Sequence, residues 1–240
     1  MKRVNIKGIN IYPFVSQQQI IEYANKEHGI LIAINAEKIV NANEQTRAII
    51  NRNIGYCDGS GPLLCLRSMG YKDAIKVAGC ELWLSIIAKY YREKTFYFVG
   101  GKQQIIDETI AKLKEQFKGI NIVGYRNGYI SSAADRLNLI EDVAQKKPDV
   151  VFVAMGSPKQ ELLMEDMLKH HSNAIYQGLG GSFDVYTGHV KRAPRWWVTH
   201  HLEWAYRLMH QPSRIKRQAK LVKFMGWIMQ QKLHPHPIEG

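Results

Sequence analysis

The stretch AIYQGLGGSFDVYTGHVKRAP, from Ala174 to Pro194, predicts a buried strand followed directly by a glycine-rich turn. The strand is the apolar run Ala174–Leu179. Gly178, Gly180 and Gly181 have no Cβ, so the backbone can turn sharply there or lie close to a ligand. The stretch also supplies a hydroxyl, a carboxylate and two cations, from Ser182, Asp184, Lys191 and Arg192. Such a loop suits a phosphate-bearing ligand held by backbone N–H groups, and the alternative is a tight loop with an ordinary helix cap.

Strand-like and helix-like patterns alternate through the second half of the chain. Apolar strands are predicted at Thr95–Val99, Ile120–Gly124, Asp149–Ala154 and Ala174–Leu179. Helices are predicted between them at Gln103–Phe117, Ser132–Lys146 and Pro158–His171. Ser132 with Asp135 resembles a capping box, and Pro158 suits the first turn of its helix. The alternation predicts an α/β fold, with a Rossmann-like, mostly parallel sheet and helices on both faces.

The first half of the chain adds an edge strand or hairpin and further strand–helix pairs. The predicted segments are an edge strand or hairpin at Val4–Tyr12, a helix from Ser16 to about Lys26, a strand at Gly29–Asn35, a helix to about Asn53, a short strand before Asp58, and helices at Pro62–Met69 and Cys80–Arg92. The run from Gly29 to Asn35 is almost continuously apolar, which is typical of a strand buried on both faces.

One edge of the predicted sheet collects the polar residues that follow its strands. In open α/β sheets, ligands bind beyond the carboxyl ends of the strands. The residues placed there are Asn35, Asp58, Gly100–Lys102, Gly156–Gln160 and Gly178–Asp184. Asp58 can serve as a general base, and its alternative role is to cap the helical segment beginning near Gly61. The Gly100–Lys102 loop resembles a phosphate loop but lacks the full P-loop spacing.

Composition limits the classes of protein and the compartment. The formal net charge of +12 predicts attraction to an anionic partner. The three cysteines form no Cys-x-x-Cys pair, which fits a reducing compartment better than a disulfide framework or a zinc site. The N-terminus lacks the apolar core of a signal peptide, and no apolar stretch reaches the ~18 residues of a membrane span. We therefore expect a cytoplasmic protein whose membrane contact is peripheral.

The chain changes character after Pro194, where tryptophans are interleaved with lysines and arginines. We predict an α/β core at residues 1–193 and a basic helical appendage at residues 194–240. A basic amphipathic helix with aromatic residues is typical of an interfacial membrane anchor. The alternative is a pair of helices packed on the sheet with a solvated basic face.

The chain contains no Asp-x-Asp motif of the kind that holds a metal–nucleotide diphosphate. We therefore expect no metal cofactor. Basic side chains would then have to stabilise a departing diphosphate, and the C-terminal arginines are the available supply.

Several ordered motifs together resemble the WecG/TagA/CpsF glycosyltransferases. They are AINAEK at 33–38, YCDG at 56–59, KVAG at 76–79, AMGSPKQE at 154–161, the stretch 178–194, LEW at 202–204 and QPSRIKRQ at 211–218. The resemblance covers nearly the whole chain. It implies inverting transfer of N-acetyl-D-mannosaminuronic acid from UDP-ManNAcA to undecaprenyl-diphosphate-linked N-acetylglucosamine. This is the lipid I to lipid II step of enterobacterial common antigen synthesis, at the cytoplasmic face of the inner membrane.

The resemblance also assigns roles to residues. Asp58 matches the proposed general base, and Asn35 and Gln160 match polar residues that line the pocket. The candidate donor-binding residues are Lys76, Gly100, Gly156, Ser157, Lys159, Gly178, Gly180, Gly181, Ser182 and Asp184. The arginines expected to meet the diphosphate are Arg207, Arg214 and Arg217. Relatives often carry arginine where this chain has Lys76, and lysine cannot make the bidentate fork of arginine.

Two other functions are consistent with parts of the sequence. A related N-acetylmannosaminyl transferase of another surface polymer would share these motifs. A basic nucleic-acid-binding protein would share the charge, but the basic residues cluster in one tail and no nucleic-acid motif is present. We therefore expect UDP-sugar, lipid-linked acceptor and anionic membrane as partners, with no nucleic acid. Assembly into a homo-oligomer is left open.

Overall fold

The computed structural model describes residues 1–191 together with Pro194, Trp197 and Gly226. Apart from those three positions, the predicted appendage at 194–240 lies outside the described residues, as do Arg207, Arg214 and Arg217. The strands are β1 (Val4–Ile6), β2 (Ile9–Ile11), β3 (Gly29–Ile34), β4 (Ile54–Cys57), β5 (Thr95–Gly100), β6 (Asn121–Arg126), β7 (Val150–Ala154) and β8 (Ile175–Gly178). The helices are α1 (Gln17–Glu27), α2 (Ala36–Asn41), α3 (Glu44–Arg52), α4 (Ser60–Ser68), α5 (Gly79–Tyr90), α6 (Gln103–Gln116), α7 (Ala133–Lys146), α8 (Lys159–His170) and α9 (Ser182–Thr187).

Six of these strands form one parallel sheet in the order β4-β3-β8-β7-β5-β6. Every residue of β7 is buried, because helices cover both faces of the sheet. The last strand of the described chain, β8, lies in the middle, between β3 and β7. The structure therefore confirms the predicted α/β fold with a parallel, Rossmann-like sheet.

The core is divided by the sheet into two apolar layers. One layer contains α2, α3, α4, α7 and α8 with the β1–β2 hairpin, and the other contains α1, α5, α6 and α9. In the second layer, Trp83 of α5 packs edge-on against Phe152 of β7 and Phe183 of α9, with ring centroids 5.8 and 5.6 Å apart. This packing holds the segment after β8 against the sheet.

Some predicted details differ from the observed ones. The single helix expected before Asn53 is two helices, because Asn43 starts a new one by accepting a hydrogen bond from the Thr46 N–H. The expected capping box is incomplete. Ser132 caps the Asp135 N–H, but Asp135 accepts from the N–H of Ser131 rather than that of Ser132.

Among the described helices, none is long and apolar enough to cross a membrane.

Candidate functional site

The carboxyl ends of the parallel strands bring the loops that carry the predicted residues to one rim. Cys57 pairs with Ile34 in the register of β3 and β4, so Asn35 and Asp58 are the next residues on neighbouring strands. The Asp58 N–H donates to the carbonyl of Ile34 at 2.8 Å. A Cβ placed on Gly59 would lie 3.8 Å from that of Asn35. The rim therefore places the candidate base and Asn35 side by side.

Asp58 is half-buried between the end of β4 and the start of α5. Its Oδ2 lies 3.9 Å from the position that a Cβ would take on Gly79, the first residue of α5. The Val77 N–H donates to the Cys57 carbonyl at 2.9 Å, which holds the Lys76 segment along the same strand end. Burial and the nearby Asp58 carboxylate raise the pKa of the Cys57 thiol to about 12, against an opposing effect of Lys76. The N-cap of α4 is Gly59, which has no side chain to cap the helix.

Beneath Asp58 lies a buried polar pair that the sequence analysis missed. Gln177 of β8 is fully buried, and its Nε2 donates to the Tyr56 hydroxyl and to the Gly79 carbonyl, each at 3.4 Å. Burial, with Asp58 nearby, raises the pKa of Tyr56, so its side chain is a neutral phenol. The signal in the sequence was a single amide in the apolar run Ala174–Leu179.

Gln160 ties two rim loops together. Its Oε1 accepts from the N–H of Gly156 at 3.1 Å and from that of Gly180 at 2.9 Å. The side chain is 4% exposed, and it fits only because residue 178 is glycine. A Cβ on Gly178 would lie 2.4 Å from the Gln160 Nε2. Gln160 thus organises the loops that follow β7 and β8.

A buried carboxylate, also missed from the sequence, follows Gln160. Glu161 Oε1 accepts from Lys38 Nζ at 2.7 Å and from the Ser157 hydroxyl at 2.6 Å. Burial alone would raise the pKa of Glu161, but the Lys38 ammonium and the hydrogen bonds from Lys38 and Ser157 outweigh it and hold that pKa below its usual value. Two of the predicted rim residues, Ser157 and Gln160, therefore donate hydrogen bonds to the buried Glu161 carboxylate.

Several polar groups of the glycine-rich loop are hydrogen-bonded within the protein. Gly180 has a φ of 59°, whereas Gly181 has a φ of −98°, which any residue adopts. The Gly180 N–H is held by Gln160, and the Ser182 N–H and hydroxyl both donate to the Leu179 carbonyl. The N–H groups of Gly180 and Ser182 are therefore bonded within the protein, and contact of this loop with a phosphate-bearing ligand stays a prediction.

An open groove of about 1190 Å³ begins at the rim between the loops after β5 and β7. From β5 the chain passes through α6 to β6 on one side, and from β7 it passes through α8 to β8 on the other side. Folds of this kind form a crevice between two neighbouring strands whose connections run in opposite directions. Its rim end is lined by Gly101, Lys102, Tyr129, Met155, Lys159 and Asp184. Gly100 lies just below, where a Cβ would be 2.3 Å from the Ala154 carbonyl oxygen. Asn35, Asp58 and Lys76 lie farther along the rim, outside this groove.

Several described helices begin at the rim without a side-chain cap. The N-cap residues of α4, α5, α6 and α8 make no such hydrogen bond, whereas α1, α2, α3 and α7 are capped by Ser16, Asn35, Asn43 and Ser132. Helices α4, α6 and α8 follow β4, β5 and β7 directly, and α5 begins beside Asp58. Helix N-termini carry a partial positive charge and exposed N–H groups. The rim is therefore suited to an anion such as a diphosphate.

Comparison of the whole sequence with known families decides the class of protein. The profile of the glycosyl transferase WecG/TagA/CpsF family matches residues 4–237, nearly the entire chain. The chain belongs to this family. It is therefore a glycosyltransferase, and the rim described above is the candidate active site of a WecG/TagA/CpsF enzyme.

Within this WecG/TagA/CpsF chain, the structure gathers the predicted residues into two parts of one rim. Asn35, Asp58 and Lys76 lie at the β3–β4 end. The residues at the β5–β7–β8 end are Gly100, Gly156, Ser157, Lys159, Gln160, Gly178, Gly180, Gly181, Ser182 and Asp184. Their contact with substrate stays a prediction. In the described part of the chain, no cluster of three or more His, Cys, Asp or Glu side chains could hold a metal ion.

We expect Gly178→Ala to slow glycosyl transfer by up to about 10²-fold, the scale expected when catalytic geometry shifts by about 1 Å. The added methyl displaces the Gln160 amide, which releases the Gly156 and Gly180 loops. The matched control is Asn173→Ala, at an exposed position just before β8. Equal kcat values for the two variants would show that the Gln160 tie does not matter for turnover.

Proposed function

We propose that this glycosyltransferase moves N-acetyl-D-mannosaminuronic acid from UDP-ManNAcA to undecaprenyl-diphosphate-linked N-acetylglucosamine. The reaction is the lipid I to lipid II step of enterobacterial common antigen biosynthesis. The observation that carries the proposal is the position of Asp58, beside Asn35 and the start of α5, on a rim where uncapped helices converge. The family match supports sugar transfer, and the choice of this donor and acceptor follows the resemblance of the ordered motifs to enzymes of this pathway.

In the proposed mechanism, Asp58 accepts the proton of the acceptor sugar's 4-hydroxyl as that oxygen attacks the anomeric carbon of the donor. The new C–O bond forms on the face opposite the leaving group, so the anomeric configuration inverts. The bond between the anomeric carbon and the diphosphate oxygen breaks, and UDP leaves with the electron pair. The rim's helix N-termini stabilise this charge, together with Lys76 and with Arg207, Arg214 and Arg217 of the appendage.

We propose that the enzyme works at the cytoplasmic face of the inner membrane, where both substrates meet. The appendage, residues 194–240, would hold it to anionic lipid through its tryptophans and basic residues. This position fits the net charge of +12 and a lipid-linked acceptor.

A donor panel tests the proposed reaction. The purified enzyme is assayed with UDP-ManNAcA, UDP-ManNAc and UDP-GlcNAc against a short-chain polyprenyl-diphosphate N-acetylglucosamine. We expect turnover with UDP-ManNAcA well above that with the other donors. Turnover with UDP-ManNAc alone would assign the enzyme to a related surface polymer. Salt-sensitive DNA or RNA binding with no UDP-sugar turnover would overturn the proposal.

We expect transfer to persist in excess EDTA. The reason is the absence of an Asp-x-Asp motif, which leaves the departing diphosphate to basic side chains and helix N-termini. Initial rates with EDTA, and with EDTA followed by Mg²⁺ or Mn²⁺, provide the measurement. A rate that collapses in EDTA and returns with either ion would redirect attention to Asp58 and Asp184 as ligands.

A further inference from the structure

The first turn of α8 holds a buried carboxylate next to a buried amide. Glu161 is 3% exposed, and its Oε1 receives hydrogen bonds from Lys38, Ser157 and, at 3.2 Å, the Gln160 Nε2. Glu161 Oε2 is also buried and accepts no hydrogen bond from the residues that the structure describes. The carboxylate is therefore enclosed by the protein and held by side chains of α2 and of the start of α8.

These side chains connect the loops after three neighbouring strands. Asn35, which follows β3, caps the Lys38 N–H at 2.8 Å, and the Lys38 ammonium pairs with Glu161. Glu161 bonds to Gln160, whose Oε1 holds the N–H groups of Gly156 after β7 and Gly180 after β8. A path made of these hydrogen bonds and the Lys38 side chain thus runs from Asn35, the neighbour of Asp58, to the Gly156 and Gly180 loops.

Stability alone does not explain a pair of this kind. Burying two charges costs desolvation that their attraction repays only partly, and apolar pairs of similar volume are often at least as stable. Among the described residues, one Glu161 oxygen has no hydrogen-bond partner, which adds to the cost. A buried pair that is linked by hydrogen bonds to Asn35, Ser157 and Gln160 does fix geometry, because each bond is satisfied in only one arrangement.

We propose that the Lys38–Glu161 pair is a positioning device for catalysis, which sets the distance between the Asn35–Asp58 part of the rim and the Gly156 and Gly180 loops. Lys38 and Glu161 are positioning residues in this proposal, because their side chains are 15% and 4% exposed and act on the rim through other groups. Gln160 is the link through which they act. This inference rests on the proposed function only in naming the reaction that suffers when the tie is cut.

Replacing both partners with apolar side chains separates positioning from stability. Lys38→Met alone leaves Glu161 buried and unpaired, so the melting temperature falls. The double variant Lys38→Met/Glu161→Met removes both charges and regains a melting temperature close to that of the wild type. Its kcat nevertheless stays about 10²-fold low, because the loops are no longer held in register. Full recovery of kcat together with the melting temperature would overturn the proposal.

Hydrogen exchange tests, without any substrate, whether the Lys38–Glu161 pair holds the Gly156 and Gly180 loops through Gln160. We expect the Gly156 and Gly180 amides to exchange faster in the double variant, because Gln160 is no longer held. Unchanged protection at both amides would overturn the proposal, whatever the donor panel shows. If the wild type transfers no sugar from UDP-ManNAcA, the proposed reaction fails. Faster exchange of the Gly156 and Gly180 amides in the double variant would still support the positioning role of the Lys38–Glu161 pair.

Two further variants make the result decisive. Met substitutions of the exposed Lys89–Glu22 pair, which joins α5 to α1 at 3.2 Å, serve as the matched control and should leave kcat and both amides unchanged. Glu161→Gln keeps the side-chain shape if the double variant does not fold. A kcat at least about 10-fold below wild type, with faster exchange at Gly156 and Gly180, supports the proposal. Wild-type values of both would overturn it.

Discussion

Asp58→Asn lowers the turnover of sugar transfer by about 10²–10⁴-fold, the usual contribution of a general base, and leaves the affinity for UDP nearly unchanged. The amide keeps the shape of the side chain at the end of β4 but cannot accept the proton of the acceptor hydroxyl. The measurement is kcat with a lipid-linked acceptor, alongside a calorimetric titration of UDP. Asp73→Asn, at an exposed position of the loop after α4, is the matched control and should behave as wild type.

Normal turnover of the Asp58→Asn enzyme would mean that this carboxylate only shapes the strand end. A loss of UDP binding as large as the loss of kcat would instead move Asp58 from the acceptor side to the donor side of the rim. The proposed mechanism fails in either case.

Deleting residues 212–240 abolishes transfer and releases much of the protein from anionic vesicles. Arg214 and Arg217 would no longer reach the donor diphosphate, so transfer stops even with a water-soluble acceptor analogue. Vesicle binding weakens because interfacial aromatic residues and headgroup-facing cations are lost, the latter at about 1 kcal/mol each. Vesicle co-sedimentation and the soluble-acceptor assay measure the two effects separately.

Point substitutions then separate the two proposed roles of the appendage, binding to anionic lipid and contact with the donor diphosphate. Charge reversal at Lys220 and Lys223 should weaken vesicle binding and spare soluble-acceptor turnover. Arg214→Ala and Arg217→Ala should do the opposite. A parallel loss of lipid binding and catalysis in all four variants would show that the tail has one role instead of two.

The sequence was sufficient for the fold because buried parallel strands are apolar on both faces. A continuous apolar run such as Asp149–Ala154 is typical of a strand that is buried on both faces of a sheet. The alternation of such runs with helices implies that the sheet is parallel. The rim followed from the same rule, since every parallel strand ends at one edge. Asn35 and Asp58 were expected on this rim, but only the observed pairing of β3 with β4 makes them neighbours there.

The partners of Glu161 could not be predicted in the same way. Lys38 lies 123 residues away along the chain, and only the tertiary fold brings the two side chains together. The glycines posed a similar problem. Gly178 makes room for Gln160, Gly180 adopts a left-handed backbone, and Gly181 does neither, although all three look alike in the sequence. A glycine in the sequence indicates a freer backbone, but it does not show which distant atom occupies the space that a side chain would fill.

The central place of β8 has a consequence for how the enzyme is made. The strand spans Ile175–Gly178, yet it separates β3 from β7, which precede it along the chain. A nascent chain that has not yet emerged from the ribosome to this point has two strands with unpaired edges and no completed sheet. The candidate rim is therefore complete only after β8 has been synthesised. Because residues 194–240 follow β8 in the sequence, the proposed membrane-binding segment emerges only once the whole sheet is available to fold.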